Sequence, residues 1–263
     1  MRAWLRFAKW QLKSRLRDEV LIDWIEGQKL VIRHGMTGST QNVYVGLHEF
    51  LDMMVPLHFL RKGDLFLDIG ANVGTFTVLA SGVCRARTFS FEPDSGTVAH
   101  LKRNIEINNL NELVQVYECA LGAGHGDVAF TVGLDTVNRI ATSKDTKTRM
   151  VRIATLDEIA ADSDPVMMKV DVEGAELEVL SGAERVLANP SLRIVELETL
   201  VPESAKILAR HRFELSAYDP FHRKLSKNPT SRQSSNSLFV RDWQIVEDRL
   251  QTARPIEVLG RMI

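Results

Sequence analysis

The stretch Leu65-Phe66-Leu67-Asp68-Ile69-Gly70-Ala71-Asn72-Val73-Gly74-Thr75-Phe76-Thr77 decides the fold. An apolar run ends on an acid, turns through glycine and enters a helical period. Gly70 lets the chain turn sharply, and Gly74 removes a side chain where a ligand or a neighbouring backbone comes close. Amides opening the helix are placed to bind a carboxylate or another anion. A buried carboxylate without a partner is costly, so Asp68 suits a cationic ligand group. The pattern is neither GxGxxG nor the phosphate-cradling GxxxxGK[ST] loop.

Reading outward, strand patterns fall at 65–70, 86–92, 113–120, 166–171, 193–198, 212–218 and 237–241. Helical periods lie between them, at about 74–82, 94–108, 175–188 and 201–210. Alternation of this kind predicts an α/β fold with a mostly parallel seven-stranded sheet and helices on both faces. The near-continuously apolar Val166-Met167-Met168 suits a strand buried on both faces. Residues 121–164 break the rhythm. Val128–Val132 and Met150–Ile153 read there as an inserted β-hairpin with a polar tip. Thr155 and Glu158 have the spacing of a capping box. A second polar loop spans 224–236.

Upstream, 46–60 has a helical period that Pro56 should interrupt. Residues 20–25 and 29–32 read as a short hairpin. The first 17 residues hold six basic residues and no acid. On a helix, Arg2, Arg6, Lys9, Lys13 and Arg17 form one stripe, and Trp4, Leu5, Ala8, Leu12 and Leu16 another. Either the apolar stripe packs on the domain with the basic face solvated, or the segment meets an anionic membrane. The resulting division is a helix-and-hairpin extension at 1–45, an α/β domain at 46–241 and a tail at 242–263.

The chain has 263 residues, 44% hydrophobic and 25% charged, with a formal net charge of −1. That balance suits a packed globular core and gives no general attraction to nucleic acid. Cys84 and Cys119 sit in no CxxC pair and in no zinc-spaced cluster, which fits reduced thiols in a cytoplasmic setting. No apolar run approaches the roughly 20 residues needed to span a bilayer.

Two further acids extend the site. Glu92 closes the second strand about 20 residues past the glycine turn, where an acid meets ribose hydroxyls in open α/β sheets. Asp171 closes the fourth strand, with Glu173 and Gly174 starting the next helix. In this order and spacing, Asp68 and Glu92 point to an adenosine-containing ligand.

The motifs DIGANVG (68–74), FEP (91–93), ALG (120–122), TLDEI (155–159), KVDVEGAELEVLSGA (169–183), VEL (195–197) and NSLFV (236–240) resemble the FkbM family of methyltransferases. VGLHEF (45–50) is similar to that family's GxYE element, with His48 in place of tyrosine. The resemblance covers roughly residues 43–240. It implies a Rossmann-like class I methyltransferase fold and O-methylation by S-adenosylmethionine of a hydroxyl on a sugar, glycan or natural product. It further implies that Asp68, Gly70, Asn72 and Gly74 hold the methionine end, and that Glu49 and Asp171 also belong to the cofactor site. Glu92 would hold the ribose, and Ala120 and Leu121 would edge the adenine.

An aliphatic hydroxyl needs a general base or a metal. Asp171 and Glu173 are the first candidates for the base, then Glu196 and Glu198, then His48 and His222. No spacing demands a metal, and the expectation is metal-independent transfer. A nicotinamide-dependent oxidoreductase and a non-catalytic binding protein on the same fold are the competing readings. The acceptor and the oligomeric state are not legible in the sequence.

Overall fold

A computed structural model describes residues 3–16, 19–33, 37–133, 138–142, 144–227, 229 and 234–263. The extension comprises α1 (Ala3–Leu16), β1 (Glu19–Asp23), β2 (Lys29–Arg33) and α2 (Thr37–Val45), followed by α3 (Phe50–Phe59). The first βα units are β3 (Leu65–Ile69), α4 (Thr75–Val78), β4 (Arg87–Phe91), α5 (Ser95–Ile107) and β5 (Val114–Tyr117). The insertion holds β6 (Ala120–Leu121), β7 (Gly126–Thr131) and β8 (Thr148–Ala154). After α6 (Leu156–Ala160) come β9 (Pro165–Val170), α7 (Glu176–Ser181), α8 (Glu184–Ala188), β10 (Ile194–Leu197) and α9 (Pro202–Arg210). The chain closes with β11 (Glu214–Asp219), β12 (Lys224–Lys227), β13 (Ser237–Val240), α10 (Trp243–Gln251), β14 (Glu257–Val258) and β15 (Arg261–Met262).

The main sheet runs β12-β11-β13-β10-β9-β3-β4-β5. Strands β10, β9, β3, β4 and β5 are parallel, and β13, β11 and β12 pair antiparallel at one side. All seven expected strands are present in whole or part. The eighth, β12, comes from the start of the late polar loop. Strand order reverses between β3 and β9, which opens a crevice at their carboxyl ends. The inserted hairpin forms its own sheet of β7 and β8, with β6 added beside β8.

Alternate residues of each strand feed opposite faces of the sheet. Phe66, Met167, Ile194 and Val240 pack against α3 and α10. Leu65, Leu67, Met168, Val195 and Phe239 pack against the layer of α7, α8 and α9. The expected helix at 175–188 is two helices. Asp157 explains the break, because its carboxylate accepts the amides of Arg185 and Val186 at 2.9 Å each and so starts α8 anew. Thr155 and Glu158 form the complete capping box.

Pro56 does not end α3. The helix continues to Phe59, because Met53, Met54, Val55, Leu57 and Phe59 are buried and packing outweighs the lost hydrogen bond. The tail at 242–263 packs on the domain. Val246 and Leu250 of α10 are buried, and Arg249 grips Asp64 with its two terminal guanidinium nitrogens, at 2.8 and 3.1 Å.

The N-terminal helix forms, and its orientation differs from the first of the two readings, an apolar stripe packed inward. Trp10 is the buried anchor, in a cluster with Val20, Leu30, Ile32, Val78 and Leu101. Trp4, Leu5, Leu12 and Leu16 are exposed. Arg2 and Arg17, and the side chains of Ala8, Lys9 and Lys13, lie outside the described residues. So do 134–137 and 143 of the hairpin and 228 and 230–233 of the late loop.

Candidate active site

The crevice between β3 and β9 holds a cavity of about 240 Å³. Asp68, Gly70, Asn72, Glu92, Ala120, Leu121, Asp171 and Glu173 all line it, as do His48 and Glu49. Asp68 and Glu92, from two different strands, therefore face one common space.

The turn after β3 is built for close approach. Gly70 has φ +78°, and a Cβ there would lie 1.7 Å from the carbonyl oxygen of Asp171. Gly74 has φ +90°, and its Cβ would lie 2.4 Å from Leu101 Cδ1. Asn72, at φ +50°, holds a left-handed conformation that asparagine tolerates better than most residues. The amides here are less free than the sequence suggested. Asn72 N–H donates to Glu92 Oε2 at 3.0 Å, and Val73 N–H donates to the Asn72 side-chain oxygen at 2.7 Å. Asp94 N–H donates to the other Glu92 oxygen at 2.8 Å. Burial pushes the Glu92 carboxyl up to about 7, against these amide bonds, which pull it down.

A polar row crosses the sheet beneath the cavity. Ser90, Asp68, Lys169 and Glu196 stand opposite one another in register on β4, β3, β9 and β10. Thr77 donates to Asp68 Oδ2 at 2.5 Å and lies 2.8 Å from the Ser90 hydroxyl. Burial raises the Asp68 carboxyl, with Lys169 and Thr77 opposing it. The buried Lys169 ammonium lies 4.5 Å from the centre of the Phe76 ring and is paired with Asp171. Burial alone would lower its pKa; Asp171, Glu49 and Asp68 reverse that and hold it charged. Sequence reasoning gave Lys169 no role, although a lysine inside the apolar run of β9 was the available signal.

Asp171 is half-buried, which favours its neutral form, but the charge of Lys169 and hydrogen bonding from Glu198 and Lys169 leave it below the ordinary carboxylate range. Glu198 is pushed up to about 8 by burial and by sharing a hydrogen bond with Asp171. Glu173, at φ +53°, has a carboxyl raised by burial and by Asp171. Carboxylate oxygens of Asp171, Glu173 and Glu198 converge within 4.8 Å of one another, close enough to share a divalent ion.

The structure separates the remaining base candidates. Glu198 lines the cavity, whereas Glu196 does not. Glu196 is buried in the sheet with neither carboxylate oxygen hydrogen-bonded, and burial, then Asp52, drives its pKa well up. His222 is exposed and pairs with Asp219 far along the sheet, at 2.6 Å. The hairpin adds Phe130, Asn138 and Ile140 to the cavity wall, none of which the sequence marked out.

The Methyltransferase FkbM domain matches residues 68–220. Hexuronic acid methyltransferase AglP of Haloferax volcanii is 29% identical over 140 residues, covering 52% of this chain and 57% of that protein. Methyltransferase 1 of Beauveria bassiana is 24% identical over 161 residues, 51% of this chain and 64% of that protein. This chain thus spans under two thirds of the length of either relative. The crystal structure of an FkbM methyltransferase from Methylobacillus flagellatus superposes with a TM-score of 0.46 at 17% identity, over 77% of this chain and 54% of that one. The match covers more than half of the sequence, including both strand-tip acids, and the chain belongs to the FkbM methyltransferase family.

Proposed function

We propose that this protein is an S-adenosylmethionine-dependent O-methyltransferase acting on a hydroxyl of a sugar. The observation that carries the reading is the single cavity onto which Asp68, Glu92 and Asp171 all open. Its donor set suits the cofactor. Asp68 offers a carboxylate to a cationic amino group, and Glu92 offers acceptor oxygens to ribose hydroxyls. Phe91, Ala120 and Leu121 provide an apolar slot for a base. When bound, S-adenosylmethionine supplies a methyl group already activated on a sulfonium sulfur.

What this chain must then do is orient an acceptor hydroxyl, exclude water and take one proton. Asp171 is the base of this reading. Lys169 keeps it ionised at neutral pH, and Glu198 holds a proton beside it, so the pair titrates as a unit. Glu173 borders the same space and helps to position the hydroxyl. Phe130 of the hairpin adds an aromatic residue and Asn138 an amide to the cavity wall, a pairing suited to a sugar ring. A sugar acceptor is also the chemistry named for the hexuronic acid methyltransferase relative.

Calorimetry with S-adenosylhomocysteine, followed by transfer of labelled methyl from S-adenosylmethionine to uronic acids and neutral sugars, tests the reading. Saturable binding and a sugar product heavier by one methylene are expected. Absence of binding would reject the cofactor. Binding without transfer to any acceptor would favour the non-catalytic alternative.

A further inference from the structure

Helix α1 carries three distinct sectors. One is fixed to the body: Trp10 and Ser14 are buried, and Arg6 Nε donates to the Tyr44 carbonyl of α2 at 2.8 Å. A second points outward and is apolar, with Trp4 62%, Leu12 66% and Leu16 75% exposed and Leu5 beside them. At about 100° per residue these four positions share one sector of about 120°. Arg15, also exposed, falls among them. The third sector, by position, carries Lys9 and Lys13 along the edge of the apolar one. Residues 1–17 contain no acid, while the whole chain is slightly acidic, so positive charge is concentrated at this end.

A tryptophan and three leucines held in water on one face of a docked helix form an unmet apolar surface. Its basic border selects what covers it. A second copy of α1 laid face to face would bring basic edges together and repel. A surface of anionic phospholipid matches both features, taking the apolar face into the acyl boundary and the basic edge against phosphates. We propose that α1 docks this protein on anionic phospholipid membrane as a peripheral, in-plane helix. No described helix is long and apolar enough to cross a bilayer, so the contact is superficial.

The test is sedimentation of the full chain with phosphatidylcholine vesicles, with and without phosphatidylglycerol. Retention on the anionic vesicles is expected, falling as salt rises. The triple variant Trp4→Ser, Leu12→Ser, Leu16→Ser should lose at least about tenfold in retention, and Lys9→Glu with Lys13→Glu a similar factor. Thermal midpoints should hold, since the three apolar side chains are exposed. Failure of the intact chain to bind anionic vesicles overturns the proposal, as does equal retention of the triple variant. A concentration-dependent dimer abolished by the same substitutions would also overturn it and assign the face to a second copy.

Discussion

The backbone amide of Asn72 donates to Oε2 of Glu92 at 3.0 Å, which ties the turn after β3 to the tip of β4. The acid expected to meet a ligand is thus also a brace for the loop that shapes the cavity. Its carboxyl sits at about 7, chiefly because it is buried.

The first prediction concerns that acid. Ribose hydroxyls donate to an ionised carboxylate, so ligand binding near neutral pH should release a proton from Glu92. Below about 7 the proton must be removed first, and affinity for S-adenosylhomocysteine should fall by up to about tenfold per pH unit. Glu92→Gln should weaken binding by about 1.5–3 kcal/mol at pH 8 and flatten the pH dependence. Calorimetry across pH 5.5 to about 8.5 reads both effects. An unchanged slope in the variant would move the titration elsewhere.

Lys169 supports the second. It is the cation among Asp68, Asp171 and Glu49, and it is buried at only 2% exposure. Lys169→Met should destabilise the fold by about 3–5 kcal/mol in chemical denaturation, because it strands Asp171 without its partner. Adding Asp171→Asn should return part of that loss. Additive losses would show that the two groups do not act as a pair.

Local chemistry made much of this fold legible. The glycine turn after Asp68, the capping box at Thr155 and the hairpin at 126–154 each rest on residues close in sequence. Features set by distant partners were not legible. Which face of α1 is buried depends on whether the domain offers a socket to Trp10 or to Trp4. The start of α8 is dictated by Asp157 on another helix. The separation of Glu196 from Glu198 follows from the sheet, since residues two apart share a face but not a depth. Nor does spacing reveal that a lysine on β9 fixes the charge of the acids around it.

Glu196 yields the third prediction. A folded-state pKa far above the ordinary 4.5 means that the fold retains a proton the unfolded chain releases. Its contribution to stability is complete at low pH and is lost as the pH rises toward the folded value. Glu196→Gln keeps the neutral shape, so stability at neutral pH should rise or hold to within about 1 kcal/mol. The variant should also lose less stability than the native chain between neutral and alkaline pH. Denaturation curves at several pH values decide it, and a large loss in the variant at low pH would argue that the acid makes a specific bond.

The fourth prediction separates the bases. Asp171→Asn should lower kcat by about 10²–10⁴-fold while S-adenosylhomocysteine binding changes far less. Glu173→Gln should act mainly on KM for the acceptor. Steady-state kinetics with saturating cofactor distinguishes the two, and a reversed pattern would make Glu173 the base.

Metal dependence is the last. Asp171, Glu173 and Glu198 have the spread of a divalent-ion site, and carboxylate oxygens are the ligands that hard cations prefer. Their charge argues the other way. Lys169 already neutralises Asp171, and Glu198, at about 8, is largely protonated at neutral pH, so a cation would have to displace a proton and compete with an ammonium. Turnover should therefore survive chelator at pH 7. Any inhibition by added Mn²⁺ or Mg²⁺ should strengthen as the pH rises past about 8 and the Glu198 proton leaves. Complete loss of activity in chelator, restored by one metal, would show instead that the three acids hold an ion and that the base is a metal-bound group.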